Sequence, residues 1–476
     1  MESAETKGTK QILKNSSEEK LTKSMEKLQV NTDKLKSSKN VPELKKESEE
    51  LLDPFCDPKN PQKISFRDIT SAAFLIKGGI EKTPCPKSTS SEVYGMDLYL
   101  KKDFLQITGS FKERGARYAL LSLSDEQKKI GVISASLGNH AQGLSYHGWK
   151  LNIPVTVVMP TAAPIMKIQK CRNYRARVIV KGNDMGEAKN AALKMAQEEN
   201  LMYINGYDHP LIMAGQGTIG LEILEQVPEP DAIVVPVGGG GLIAGIATAV
   251  KALSPKTKII GVESEKCPSF SEALKNSGPV FIPIKNTLAD GLAVPKVGYN
   301  AYATAMPLID KMVVVKEEWI ALAILRLVEE EKCVVEGAGA VALGAILAGQ
   351  LNDLKGKKVV ILLCGGNIDT TVLGRCLERG LAAEGRLVKF NAQLSDRPGG
   401  IHELCKILGD LGVSIKDIMH ERAWLKDIHA VEVKVVCETR DWSHSLELKA
   451  VLKANYENVQ FTEEPLAINE NMLNRN

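Results

Sequence analysis

The sequence predicts an α/β protein built on open parallel sheets, followed by a smaller βαββαβ unit. Three observations carry this. From residue 54 to about 384, short apolar runs alternate with helical segments. Glycine-rich turns stand at the ends of several of those runs. After Gly385 apolar residues fall at every second position, interrupted by two helical stretches.

Taken in order, residues 1–52 are dominated by Lys, Glu, Ser, Thr and Asn. They hold too little apolar surface to offset chain entropy, so a disordered tail is expected. Strands are expected at 131–136, 155–159, 177–180, 232–235, 258–262 and 359–363. Most are continuously apolar rather than alternating, as in parallel strands covered on both faces. Helices are expected between them, for example over 185–197 and 319–331. Later, Val388, Phe390, Ala392 and Leu394 alternate with polar residues, and the turn Ser395-Asp-Arg-Pro-Gly-Gly400 follows. Ile401, Leu404, Cys405, Leu408 and Leu411 share a helical face. Val431, Val433 and Val435 alternate again, and Leu446, Leu448, Val451 and Leu452 suit a second helix. That order is a split βαβ unit of fewer than about 100 residues.

Composition narrows the function. The 476 residues allow about three structural units. A net charge of +3 gives no electrostatic footprint for nucleic acid. The nine cysteines are odd in number and form no C-x-x-C, which suits thiols in a reducing compartment rather than disulfides or a zinc site. The uncharged stretch 232–250 is interrupted by Pro236 and four glycines, so it reads as strand, turn and helix, not as a membrane span. The N-terminus lacks an apolar signal region, and its early glutamates argue against a transit peptide. A cytoplasmic protein is expected.

Four segments carry chemistry. Gly109-Ser-Phe-Lys-Glu-Arg-Gly115 places a lysine at a helix start, where burial and the helix terminus lower an ammonium pKa and make the amine nucleophilic. By itself that segment reads as readily as a solvated helix face. Pro236-Val-Gly-Gly-Gly-Gly-Leu-Ile-Ala-Gly245 follows a buried strand and opens a helix, so successive N–H groups form an anion nest suited to phosphate. Its spacing fits neither a Walker loop nor a dinucleotide fingerprint. Ser134-Ala-Ser-Leu-Gly-Asn-His-Ala-Gln-Gly143 follows another strand and offers donors for a carboxylate; a satisfied core histidine is the plainer reading of His140. Leu363-Cys-Gly-Gly-Asn-Ile-Asp369 ends a further strand, with Cys364 placed either to meet a ligand or to sit as an inert buried thiol.

Together the four segments resemble the fold-type II pyridoxal-phosphate enzymes, in particular the serine/threonine dehydratases, over nearly all of residues 60–385. Gly206-Tyr-Asp-His-Pro and Ala214-Gly-Gln-Gly-Thr-Ile-Gly-Leu-Glu222 look like threonine dehydratase in particular. Asp396-Arg-Pro-Gly-Gly-Ile-His-Glu-Leu404 resembles an ACT domain, an amino-acid-binding regulatory module. The resemblance implies a tryptophan synthase β-like catalytic domain at 53–385, with a smaller subdomain inserted at about 100–205. It implies a ferredoxin-like ACT domain at 386–476.

The resemblance also implies roles. Lys112 forms the Schiff base with pyridoxal 5'-phosphate and acts as base. Gly238, Gly239, Gly240, Gly241 and Leu242 cradle the phosphate. Phe111 stacks near the pyridine ring, Asn139 bonds its 3′ oxygen, and Gly291 and Glu336 approach it. Cys364 faces the ring nitrogen. Ser136, Gly138, Asn139 and His140 hold the substrate carboxylate. The implied reaction converts L-threonine or L-serine to a 2-oxo acid and ammonia.

Two departures stand out. Leu137 occupies a position where relatives have a small residue, and serine racemases a proton-carrying serine, which argues against racemisation. Ser269 stands where metal-binding relatives pair a second carboxylate with Glu263, so no metal site is expected. A β-replacement enzyme and a catalytically weak amino-acid sensor are the competing readings. The expected partners are an amino-acid substrate, an amino-acid effector at the ACT domain and further copies of the chain, as a dimer or tetramer, with no nucleic acid and no membrane.

Overall fold

The structure is a computed structural model that describes residues 51–462. The expectation for the N-terminal tail falls almost wholly outside the described residues, as does the end of the C-terminal unit. The chain forms β1 (Asp97–Lys101) and then leaves it for β2 (Val132–Ala135), β3 (Val155–Met159), β4 (Arg177–Val180) and β5 (Met202–Tyr203). It returns through β6 (Ala232–Pro236), β7 (Lys258–Ser264), β8 (Lys311–Val315) and β9 (Lys358–Leu362).

These strands make two parallel sheets. One has the order β4-β3-β2-β5 and the other β1-β9-β6-β7-β8. Strands β3, β6 and β9 are almost wholly buried, which is why they read as unbroken apolar runs. β1, β5 and β8 are not among the runs singled out from sequence. β1 ends in Lys101, a lysine that is fully buried and bonded to Glu222, where a lysine ordinarily signals solvent.

From β6 the chain moves outward to β7 and β8, then returns to β9 on the other side of β6. The order in which the chain adds strands therefore switches between β6 and β9. Ligands bind at such switch points, beyond the carboxyl ends of the strands. The tetraglycine follows β6 and Cys364 follows β9, so both reach the same crevice.

Residues beyond 385 form β10 (Leu387–Ser395), β11 (Ser414–Glu421), β12 (Ala430–Glu438) and β13 (Val459–Phe461). They pair antiparallel in the order β11-β12-β10-β13. The helices Gly400–Asp410 and Trp442–Asn455 contribute Leu404, Leu408, Leu448 and Leu452 to a core shared with Phe390, Val433 and Val435. Arg386 joins this sheet to the rest of the chain: its carbonyl accepts from Thr439 N–H and its guanidinium meets Glu329 at 2.8 Å. Among the described residues no helix is long and apolar enough to cross a membrane.

Candidate active site

Lys112 opens the helix Lys112–Leu121. Its amine is buried and donates to the Gly206 carbonyl. Burial lowers its pKa to about 8, against the opposing pull of Cys364 and Glu336. An amine that is neutral in an appreciable fraction near neutral pH is a competent nucleophile and proton acceptor. Phe111 lies beside it, with its ring centroid 5.0 Å from Lys112 Nζ and its N–H on the Cys364 carbonyl at 3.0 Å.

Contacts run from Lys112 around the whole crevice. Next to Gly206, Tyr207 lies against the tetraglycine: a Cβ on Gly239 would stand 2.3 Å from its ring, and one on Gly241 2.0 Å from its carbonyl oxygen. Gly240 has φ +92°, a left-handed conformation that favours glycine. Leu242 lies in the apolar core with Phe111 and Cys364. A Cβ on Gly238 would meet Leu292 at 3.1 Å, and one on Gly291 would meet Glu336 Oε1 at 3.4 Å.

Glu336 closes the circuit. Its Oε1 accepts from Asn139 Nδ2 at 2.8 Å, and its N–H donates to the Gly365 carbonyl at 3.0 Å. Burial, reinforced by Asp290, raises its pKa to about 7. The Cys364 thiol is pushed well above its ordinary range by burial, so it presents no charge.

Asn139 begins the helix Asn139–Leu151, directly after Gly138. The first N–H groups of a helix have no carbonyl within it to bond. Ser136 Oγ accepts the Gly138 N–H at 3.3 Å, and a Cβ on Gly138 would meet nothing within 4 Å, so the space beside this turn is open. The His140 ring packs on Gly206. Burial and the neighbouring Lys112 lower its pKa to about 3, so the ring is neutral. Leu137 is partly buried against the core of the smaller sheet.

The residues singled out from sequence therefore converge on one crevice. Three neighbours were missed although each lies in a quoted segment. Asn367 Nδ2 donates to Asn139 Oδ1 at 2.9 Å and to the Thr108 carbonyl at 2.6 Å. Tyr207 walls the tetraglycine. Gly365 leaves room for Glu336, whose Oε1 would lie 2.3 Å from a Cβ there. At the position considered for a metal, Glu263 is occupied by the N–H groups of Phe270 and Ser271 and by the Ser271 hydroxyl. Among the described residues no group of three His, Cys, Asp or Glu side chains is arranged to hold a metal ion.

A phosphorylated pyridine aldehyde fits these groups. The tetraglycine is a bare backbone nest at the start of the helix Gly241–Leu253, suited to a phosphate. The buried Lys112 amine could take up an aldehyde, and the neutral Cys364 thiol would add no charge beside a pyridine ring.

Comparison with known proteins agrees with that chemistry. Residues 76–365 match the pyridoxal-phosphate dependent enzymes, and the chain belongs to that family. It is 42% identical to an L-threonine ammonia-lyase of Thermotoga maritima over 393 residues, which cover 82% of this chain and 98% of that one. Among solved structures it resembles the processed form of threonine deaminase isoform 2 from Solanum lycopersicum, at 36% identity and a TM-score of 0.63, covering 67% of this chain and 90% of that one. It also resembles maize serine racemase, at 31% identity and a TM-score of 0.64, covering 67% and 99%.

Proposed function

We propose that this chain is an L-threonine ammonia-lyase that also accepts L-serine, releasing 2-oxobutyrate or pyruvate together with ammonia. The observation that carries the reading is the buried Lys112 amine, with its pKa near 8, in one crevice with the tetraglycine nest and Asn139.

When bound, pyridoxal phosphate supplies an electron sink that acidifies the substrate Cα–H. The chain's own groups do the rest. The N–H groups of Gly238 to Gly241 and Leu242 would hold the phosphate, and Phe111 would pack beside the ring. Asn139, whose Nδ2 already donates to Glu336, would offer its amide to the ring's 3′ oxygen. Ser136 and the backbone at Gly138, Asn139 and His140 would hold the substrate carboxylate within reach of the Lys112 amine. Lys112 Nζ takes that proton as general base. Glu336 and Gly291 would border the ring. Cys364 would meet the ring nitrogen as a neutral thiol, offering no charge to keep that nitrogen protonated.

Leu137 sets the chain apart from a racemase, because leucine cannot carry a proton to the second face of Cα. The test is release of 2-oxobutyrate from L-threonine by purified protein with added cofactor, Lys112→Ala serving as control. Release that vanishes in the variant supports the reading. A bound cofactor with no release moves a β-replacement enzyme or an amino-acid sensor ahead.

The unit at 386–476, following the catalytic domain at 53–385, is read as an ACT-like module that takes an amino-acid effector. Support comes from the order β13-β10-β12-β11, the ferredoxin-like arrangement of a split βαβ unit. Strand β11 lies at the sheet edge and exposes Ile415, Ile418 and Met419. An uncovered edge of this kind calls for a partner strand, and a homo-oligomer supplies one. Nine free cysteines suit a cytoplasmic location.

A further inference from the structure

We propose that Glu113 and His147 are a positioning pair that sets Lys112 against the helix carrying Asn139. His147 Nε2 lies 3.0 Å from Glu113 Oε2, and both side chains are 1% exposed. The chemistry proposed above uses neither residue. Burying a carboxylate is costly unless its bonds are made, so the pair calls for a role. Burial lowers the His147 pKa; Glu113 opposes the shift, while Arg117 and Lys150 add to it. The ring is therefore neutral at pH 7. Nδ1 has no partner, which assigns the proton to Nε2, donating to Glu113.

Glu113 faces two ways. Its Oε1 accepts the Thr108 N–H. The Thr108 carbonyl accepts from Asn367 Nδ2, and the same nitrogen donates to Asn139 Oδ1. Asn139 and His147 belong to one helix. The bonds thus close a ring through Glu113, Thr108, Asn367, Asn139, the helix and His147.

The same helix touches Lys112 directly: a Cβ on Gly143 would lie 3.2 Å from the Lys112 carbonyl carbon. Gly143 and His147 are about one turn apart on a shared face. A bare backbone contact allows sliding, whereas a buried, directional hydrogen bond one turn further on resists it. A slip of one residue is about 1.5 Å, enough to take the Asn139 amide out of reach of Asn367 and Glu336. The pair fixes where that amide stands relative to the Lys112 amine. This rests on the functional reading above, in which both groups meet one cofactor.

His147→Leu removes the donor and keeps the bulk; His147→Gln restores a donor nitrogen at similar reach. Each variant is stripped of cofactor and titrated with pyridoxal phosphate. The visible absorption band, threonine kinetics and thermal unfolding are then followed. H147L is expected to bind the cofactor about tenfold more weakly, the loss of roughly one hydrogen bond, with a shifted band and a KM that rises more than kcat falls. H147Q is expected to return to within about threefold of wild type. An H147L protein with wild-type affinity, band and KM overturns the proposal. So does an H147Q protein as impaired as H147L, since the site would then need only the imidazole's shape. A wild-type protein that binds the cofactor but releases no 2-oxo acid sinks the functional reading alone. The pair is then decided by affinity and band.

Discussion

Asn139 and Glu336 stand 197 residues apart in the chain and are joined by a 2.8 Å hydrogen bond. The bond ties the helix after β2, in the smaller sheet, to the residue that precedes the buried helix Gly337–Leu347 of the larger one. Burial raises Glu336 from 4.5 to about 7. Between those values the folded chain holds a proton that the unfolded chain has lost, so this group costs stability as pH rises through that window. Glu336→Gln removes the titration and keeps an acceptor for Asn139. The cofactor-free variant should gain on wild type by about 1–3 kcal/mol between pH 5 and pH 8. Denaturant midpoints at the two pH values measure this; an offset that does not change with pH counts against it.

The depressed pKa of Lys112 has a kinetic signature. Cofactor capture needs the neutral amine, and burial brings Lys112 from 10.5 to about 8. Uptake of pyridoxal phosphate by the cofactor-free protein should speed up through about pH 8 and level off above it. Stopped-flow absorbance gives the profile. A rate still climbing beyond about pH 10 would mean that the amine behaves as an ordinary lysine.

Cys364→Asp puts a carboxylate where a neutral thiol now stands, 2% exposed and near both Lys112 and Glu336. Release of 2-oxobutyrate should fall by about tenfold or more, while cofactor still binds. Unchanged turnover would refute the idea that an uncharged partner at the ring nitrogen favours elimination.

Arg114 is fully buried between Asp103 and Glu222, at 2.7 and 2.6 Å. Arg114→Met should cost about 3–5 kcal/mol, because Asp103 loses its guanidinium while remaining buried. Chemical denaturation measures the loss; a cost below about 1 kcal/mol would mean that the carboxylates find other partners.

Removal of residues 386–476 should abolish any change of activity with added isoleucine or valine. Paired assays on the full and shortened chains decide the matter. A response that survives would place the effector site in the catalytic part.

Much of the fold was legible because burial writes itself into apolar runs. Val155–Met159 and Ala232–Pro236 are covered on both faces and carry no polar side chain except Thr156. β1 was harder, since Lys101 looks like a surface residue until Glu222 is placed against it. In the site, the glycine run was legible because it stands in one stretch of sequence, although Gly239 and Gly241 are bare because Tyr207 packs on them. Asn367, Tyr207 and Glu113 take their meaning from partners elsewhere in the chain. Asn367 bonds Thr108 from 259 residues away, and nothing in a local pattern names such a partner.

Lys112 meets segments near 206, 336 and 364, which belong to different parts of both parallel sheets. A fragment that lacks either sheet keeps only part of this crevice: the tetraglycine, Glu336 and Cys364 come with the larger sheet, Asn139 with the smaller. Turnover is thus an all-or-none report on whether the two sheets have folded and docked. A protease nick or a destabilising change far from Lys112 would register as a smaller fraction of working molecules, each with unaltered KM, rather than as a uniformly slower enzyme.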